Sequence, residues 1–280
     1  MLYGFPPKVF IIGAQKSGTT SLASLLQKNS EVCLSNPKEP NYYTMNYQNG
    51  SQWYRSCFDN VDKILVDAST TYTMCPLSEQ SLNHKPERIK NTQVPQRIYK
   101  DAPDAKLVYV IRDPVSRMYS NYWHNMKYGY ENRAFLDAIQ NDPLYKEMSL
   151  YYEHLNLYMR IFPRENILLL KFEDLITNQR GILNLCEKFI GVPETVVLNV
   201  AASENQGGVY GERIKNILRN DLVKNVEKIM PDKLKSYIKS KIVKKIPKLE
   251  DEIRRDLQKI FINDQKALSQ LFNIAYSDYL

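Results

Sequence analysis

Residues Lys8–Lys28 read KVFIIGAQKSGTTSLASLLQK. The apolar run Val9–Ile12 leads to Gly13, four further residues, Gly18 and two threonines, after which Thr20–Lys28 has a helical pattern. A strand that turns through G-x-x-x-x-G into a helix can wrap backbone N–H groups around an anion, and the helix N-terminus adds partial positive charge. Ser17, Thr19 and Thr20 add hydroxyl donors, and Lys16 adds a point charge at the crown of the loop. The spacing alone is common, so the competing reading is a glycine-bearing turn with an exposed lysine. In nucleoside triphosphatases the lysine follows the second glycine and the next hydroxyl holds magnesium. Here Thr19 takes that place. Asp67 and Asp113 are the acidic candidates after strands, and each has another reading. The loop therefore calls for a ligand with fewer phosphates and no metal.

A second strand-to-helix junction lies at Lys106–His124, KLVYVIRDPVSRMYSNYWH. Arg112 stands at the carboxyl end of the strand, where open α/β sheets bind ligands. Ser120 follows two helical turns later, and the two could hold a separate phosphate. Taken alone, Arg112 reads equally well as a structural ion-pair partner. Asp113, before Pro114, suits a helix cap. Further strands are expected at Lys63–Ser69 and Asn166–Leu175. Continuous apolar runs alternating with helical stretches predict an α/β fold, a P-loop-like doubly wound parallel sheet flanked by helices. From about 214 to 280 the pattern is helical. With no repeat or linker, residues 1–280 read as a single domain.

The totals agree with that class. The chain has 280 residues, 43% hydrophobic and 25% charged, which excludes a disordered or fibrous chain. Its net charge is +7, yet Gly211–Lys248 holds 12 basic against 4 acidic residues, a net of +8, so the remainder sums to −1. That lysine-rich stretch, Lys233–Lys248, reads as a solvated helical face or as a weak contact with an anionic acceptor or membrane surface. No nucleic-acid recognition motif accompanies it. Cys33, Cys57, Cys75 and Cys186 form no CxxC pair, which argues against zinc and for free thiols in a reducing compartment. No apolar run reaches the roughly 18 residues of a membrane span, and the first strand begins by Val9. As given, the chain reads as cytoplasmic, and a piece of a membrane-anchored enzyme would read the same.

GAQKSGTTSL and VYVIRDPVSRMYSNY resemble the two cofactor motifs of the sulfotransferases that use 3′-phosphoadenosine-5′-phosphosulfate, PAPS. FPRENILLLKFEDLITN at Phe162–Asn178, ENQGGVYGER at Glu204–Arg213 and the terminal helices extend the resemblance over nearly the whole chain. It is weakest at Leu77–Asp104 and Arg219–Leu249. It implies that Lys16, Ser17, Gly18, Thr19 and Thr20 line the 5′-phosphosulfate site. Arg112 and Ser120 would bind the 3′-phosphate, with Tyr210 and Arg213 on a loop closing over the nucleotide. None of His84, His124 and His154 lies in the context of the catalytic histidine of the phenol and steroid branch. NPKEPNYYT, Asn36–Thr44, instead resembles the heparan-type and bacterial carbohydrate branches, which implies Glu39 as base, followed by the aromatics Tyr42 and Tyr43. VDASTTYT at Val66–Thr73 resembles a substrate-side segment, but Ala68 stands where heparan-type relatives carry lysine.

The expected reaction is sulfuryl transfer from PAPS, as co-substrate and without a metal, to a hydroxyl of an acceptor, a carbohydrate by branch resemblance. A lipid, a polyketide or another small alcohol remains open, and a variant P-loop nucleotide kinase is the alternative class. An alcohol is a poor nucleophile, so a base within hydrogen-bond reach is needed. An ordinary carboxylate is weakly basic, so the role calls for partial burial around Glu39. Lys16 would meet the bridging oxygen of the leaving nucleotide. Against these stand plainer readings: Glu39 as a surface glutamate, Lys38 as merely solvated, Asp67 as a strand end, Trp123 as packing rather than stacking on adenine.

Overall fold

The computed structural model describes residues 2–196, 208–210 and 243–273. Its centre is a five-stranded sheet of β1 (Val9–Gly13), β2 (Val32–Leu34), β3 (Ile64–Asp67), β4 (Lys106–Ile111) and β5 (Ile167–Lys171). The spatial order is β2-β3-β1-β4-β5, and every neighbouring pair is parallel. Parallel strands need crossovers that cover both faces. Accordingly, Leu107, Tyr109 and Ile111 enter one apolar cluster while Val108 and Val110 enter another on the opposite face. This is the doubly wound α/β fold expected from the continuous apolar runs.

The crossovers carry α1 (Thr19–Leu26), α2 (Gly50–Ser56), α3 (Glu79–His84), α4 (Val94–Asp101), α5 (Pro114–Tyr128), α6 (Phe135–Asn141), α7 (Leu144–Glu147) and α8 (Tyr151–Met159). After the sheet come α9 (Phe172–Thr177), α10 (Gln179–Ile190), α11 (Asp251–Lys259) and α12 (Ile262–Phe272). Helix α5 starts where its sequence directs. Asp113 accepts the Ser116 N–H at 2.7 Å, Pro114 fills the first turn, and Gly129 ends the helix in the left-handed region at φ 73°.

Two boundaries differ from the sequence reading. The strand expected to run to Leu175 stops at Lys171, and Phe172–Thr177 is helical. The strand Val32–Leu34, three residues long, was not foreseen. Much of the expected helical part, 214–280, lies outside the described residues. Within it, α11 and α12 are helical, and Val243–Lys245 forms a strand, β7, antiparallel to β6 (Gly208–Tyr210). β6 packs against α5. Among the described residues no helix is long and apolar enough to cross a membrane.

Candidate active site

The loop between β1 and α1 sits at the carboxyl ends of the parallel strands, next to the start of α5. Its first helical hydrogen bond runs from Leu22 N–H to the Gly18 carbonyl at 3.1 Å. The N–H groups of Thr19, Thr20 and Ser21 thus have no helical partner. Gly18 has φ 86°, and a Cβ there would lie 2.7 Å from the Phe172 ring. Lys16 also takes a positive φ, 71°, a conformation that non-glycine residues adopt mainly where surroundings impose it. Ser17 is fully buried, and its hydroxyl lies by the buried Tyr151 hydroxyl without a hydrogen bond of normal geometry among the described residues. Thr19 is buried and Thr20 exposed.

The charges around this loop are unbalanced. Burial pulls the Lys16 ammonium below the usual lysine range, and the positive charges of Lys127, Arg112 and Arg117 push it further down. The Arg112 guanidinium donates to the Lys16 carbonyl at 3.2 Å and lies 4.6 Å from the centre of the Phe172 ring. Phe172 therefore props both motifs, beneath Gly18 and beside Arg112. Arg117 is fully buried: its Nε donates to Ser149 at 2.6 Å, its Nη2 to the Tyr145 carbonyl at 2.7 Å, and its Nη1 has no hydrogen-bond partner among the described residues. Among the described residues no carboxylate pairs with Lys16, Arg112 or Arg117. Such a cluster is stable in the presence of a bound anion.

Glu39 stands on the connection from β2. One carboxylate oxygen is 2.7 Å from the Lys38 ammonium and the other accepts from the Thr70 hydroxyl at 3.0 Å, with a third of the side chain (33%) exposed. Lys38 also reaches the Thr20 hydroxyl at 3.4 Å, so it bridges Glu39 to the start of α1 rather than being merely solvated. The aromatics after Glu39 anchor it. Tyr42 stacks on Tyr54 with centroids 4.1 Å apart, and Tyr43 donates to Asp101 at 3.1 Å. Asp67 ends β3 fully buried and accepts from Tyr54 and Tyr72, each at 2.6 Å, and from the Ser69 hydroxyl and N–H. Burial raises its pKa and these hydrogen bonds oppose the rise. Asp67 fixes the Ser69–Thr73 turn that carries Thr70, and has no opening toward an acceptor.

His124 was set aside in the sequence, yet it meets Lys16. Its Nδ1 is 3.5 Å from the Lys16 ammonium. Burial, then Lys16 and Lys127, pull its pKa down to about 4, while Glu39 acts in the opposite sense, so His124 lies within electrostatic reach of both. At neutral pH it is uncharged and can accept a proton-bearing hydrogen bond from Lys16. The available signal was its spacing, four residues after Ser120 and so on the same side of α5. Ser120 itself is half-buried. Asp113 is the cap of α5 and is paired with Arg254 of α11 at 2.9 Å. Trp123 packs edge-on against Tyr122 and Tyr119 of its own helix, in a cluster that contains no strand residue, rather than against the sheet. His154 is buried against the Glu147 carbonyl, away from the loop. Tyr210 belongs to β6, and Arg213 lies outside the described residues, as do Lys233 through Lys241.

Comparison with known proteins agrees with this arrangement. The sulfotransferase domain family matches residues 6–271. Heparan sulfate glucosamine 3-O-sulfotransferase 6 of Homo sapiens is 26% identical over 198 residues, 68% of this chain and 54% of that protein. Heparan sulfate glucosamine 3-O-sulfotransferase 5 of Mus musculus is 26% identical over 242 residues, 81% of this chain and 65% of that protein. The chain thus spans about half to two thirds of the length of these relatives. A sulfotransferase from Alicyclobacillus acidocaldarius superimposes with a TM-score of 0.68 at 19% identity over 98% of both chains, a likeness of fold. By the family match over almost its whole length, the chain belongs to the PAPS-dependent sulfotransferase family.

Proposed function

We propose that this chain moves the sulfuryl group of PAPS to a hydroxyl of a carbohydrate acceptor, with Glu39 as base and Lys16 at the leaving nucleotide. The observation that supports the reading is the cluster of Lys16, Arg112 and Arg117, with no carboxylate among the described residues paired to any of them, set around a loop that leaves the N–H groups of Thr19, Thr20 and Ser21 at the start of α1 without helical partners. An anion with two phosphate positions supplies what these groups lack. Lys16, Ser17, Gly18, Thr19 and Thr20 would hold the 5′-phosphosulfate, and Arg112 with Ser120 the 3′-phosphate. Tyr210 and Arg213 are proposed to close over the nucleotide on the evidence of sequence resemblance alone. The carbohydrate acceptor is supported by the relatives, whose names specify heparan sulfate glucosamine. Ala68, in place of the lysine of heparan-type relatives, separates this chain from that particular substrate.

The residues divide the work as follows. Glu39 keeps free lone pairs on both oxygens, since each accepts one donor and a carboxylate has about four acceptor sites. It can take the proton of the attacking hydroxyl. Negative charge then develops on the bridging oxygen of the departing nucleotide. Lys16 stabilises that charge, helped by the N-terminus of α1. In the absence of ligand the ammonium rests against His124 Nδ1, which holds it without neutralising its charge. Lys38 ties the base to the loop through Thr20, so acceptor and donor sides share one rigid frame.

The test is transfer of label from sulfur-35 PAPS to a panel of sugars, phenols and lipid alcohols. The reading expects labelled sugar, and roughly 10²–10³-fold slower labelling with Lys16→Ala. Magnesium-dependent turnover of ATP with no transfer from PAPS would overturn it in favour of a nucleotide kinase.

A further inference from the structure

Base and donor are both anions in the proposed reaction. A sulfuryl group carried on the nucleotide at Thr19 and Thr20 brings negative charge toward the Glu39 carboxylate, and like charges a few Å apart repel. The cation that answers this is Lys38. Its ammonium lies 2.7 Å from one Glu39 oxygen and 3.4 Å from the Thr20 hydroxyl, between the base and the first turn of α1. An ammonium has three N–H donors and no acceptor. Glu39 and Thr20 take two of them, and no further acceptor among the described residues meets the third.

Adjacent lysine and glutamate on a surface contribute little as an ion pair, but this pair is held in place by structure. The Lys38 carbonyl accepts from the Ser35 hydroxyl at 3.0 Å and from the Ala68 N–H at 3.4 Å, which fastens its backbone between the ends of β2 and β3. Ser35 and Ala68 are both buried. On the other side of the pair, Thr70 holds the second Glu39 oxygen at 3.0 Å. The Lys38 side chain reaches across to α1 with 23% of it exposed. Thr20 itself is exposed, so the ammonium sits at the open start of α1 rather than beneath it. Two lysines thus approach the site from different elements. Lys16 comes from within the loop and rests at His124, and Lys38 comes from the connection after β2 and rests at Glu39.

We propose that Lys38 binds the sulfuryl group of PAPS through its open N–H and neutralises Glu39 against that group, so that it contributes to binding of the donor and not of the spent nucleotide. The proposal rests on the sulfotransferase reading and adds to it a second cation, on the acceptor side. In the transfer, the acceptor oxygen bonds to sulfur as the bond from sulfur to the bridging oxygen breaks, and the acceptor's proton passes to Glu39. Lys16 meets the oxygen that departs with the nucleotide. Lys38 stays with the non-bridging oxygens of the group that moves, in a charge-assisted hydrogen bond. The nucleotide product, 3′-phosphoadenosine-5′-phosphate (PAP), lacks the sulfuryl group and with it the partner of Lys38.

The experiment is calorimetric titration of PAPS and of PAP, without acceptor, into the wild type, Lys38→Met, Glu39→Gln and the double variant. Lys38→Met keeps the aliphatic stem and removes the charge and its donors. Loss of a charge-assisted hydrogen bond predicts that it weakens PAPS at least about tenfold and PAP by no more than about twofold. The same loss of PAPS affinity should appear when Lys38→Met is added to Glu39→Gln, because the ammonium touches the sulfuryl group itself. A role confined to screening Glu39 would show no loss in that background, which overturns the proposal. Equal weakening of PAPS and PAP, the mark of a residue that only holds the loop, also overturns it, as does no weakening at all. If Lys38→Met does not fold, Lys38→Gln decides by the same criteria. A wild type that binds neither nucleotide removes the sulfotransferase reading and this proposal with it, whereas PAP binding with an unselective Lys38→Met removes this proposal alone.

Discussion

Two regions at the same edge of the sheet treat buried charge in opposite ways. Around Asp67 one carboxylate is enclosed by four donors, from Tyr54, Tyr72 and Ser69, and every one is protein. Around the phosphate loop Lys16, Arg112 and Arg117 gather, and among the described residues no carboxylate pairs with any of them. A charge satisfied from within is a structural element, because nothing can be added to it. Charge left unsatisfied by the fold is paid for by a ligand. Glu39 stands between the two regions. Thr70 holds it from the Asp67 side and Lys38 ties it to the loop, yet a third of it (33%) stays open to an acceptor.

The comparison can be broken at several points. Glu39→Gln should lower kcat by roughly 10²–10⁴. PAP affinity should stay within about twofold, since a base on the acceptor side adds little to product binding. Retained activity would return Glu39 to the role of a surface glutamate. Lys16→Ala should lower kcat by roughly 10²–10³ and weaken PAP as well, because the same ammonium serves binding and departure. Parallel calorimetry of both variants separates these patterns. Asp67→Asn should act on the other region. It breaks charge-assisted hydrogen bonds in a fully buried site and should lower unfolding free energy by about 2–3 kcal/mol in denaturant titrations. PAP affinity of the folded fraction should be unchanged.

The smallest effect is the pH dependence of nucleotide binding. Neighbouring cations and burial lower the Lys16 pKa in the free protein, and a bound phosphate raises it again. The protonated form therefore binds better. Affinity should be constant below the lowered pKa and fall as pH rises through it, earlier than an ordinary lysine would allow. Lys16→Arg should remove that slope. A slope that persists in this variant would assign it to another group.

The strands were legible where an apolar run was long enough to be buried on both faces, as in Leu107–Ile111. Val32–Leu34 is too short to separate from a turn. The run from Asn166 misled because Phe172 and Leu175, three apart, also suit a helix, and the pairing of β5 with β4 ends at Lys171. The loop between β1 and α1 was legible because its pattern is local: a strand, two glycines with four residues between them, and a helix start. His124 was not, since it meets Lys16 from 108 residues away. Lys38 looked solvated because its partner Thr20 belongs to another element.

The most direct measurement is calorimetric titration of the wild type and Lys16→Ala with PAP and, separately, with ATP and magnesium. The proposed assignment of Lys16 to a single 5′-phosphate, and of Arg112 with Ser120 to a separate 3′-phosphate, predicts that PAP binds more tightly than ATP with magnesium. It also predicts that Lys16→Ala loses most of the PAP affinity. Tighter binding of ATP with magnesium than of PAP, or a Lys16→Ala variant that binds PAP as well as the wild type, would contradict it.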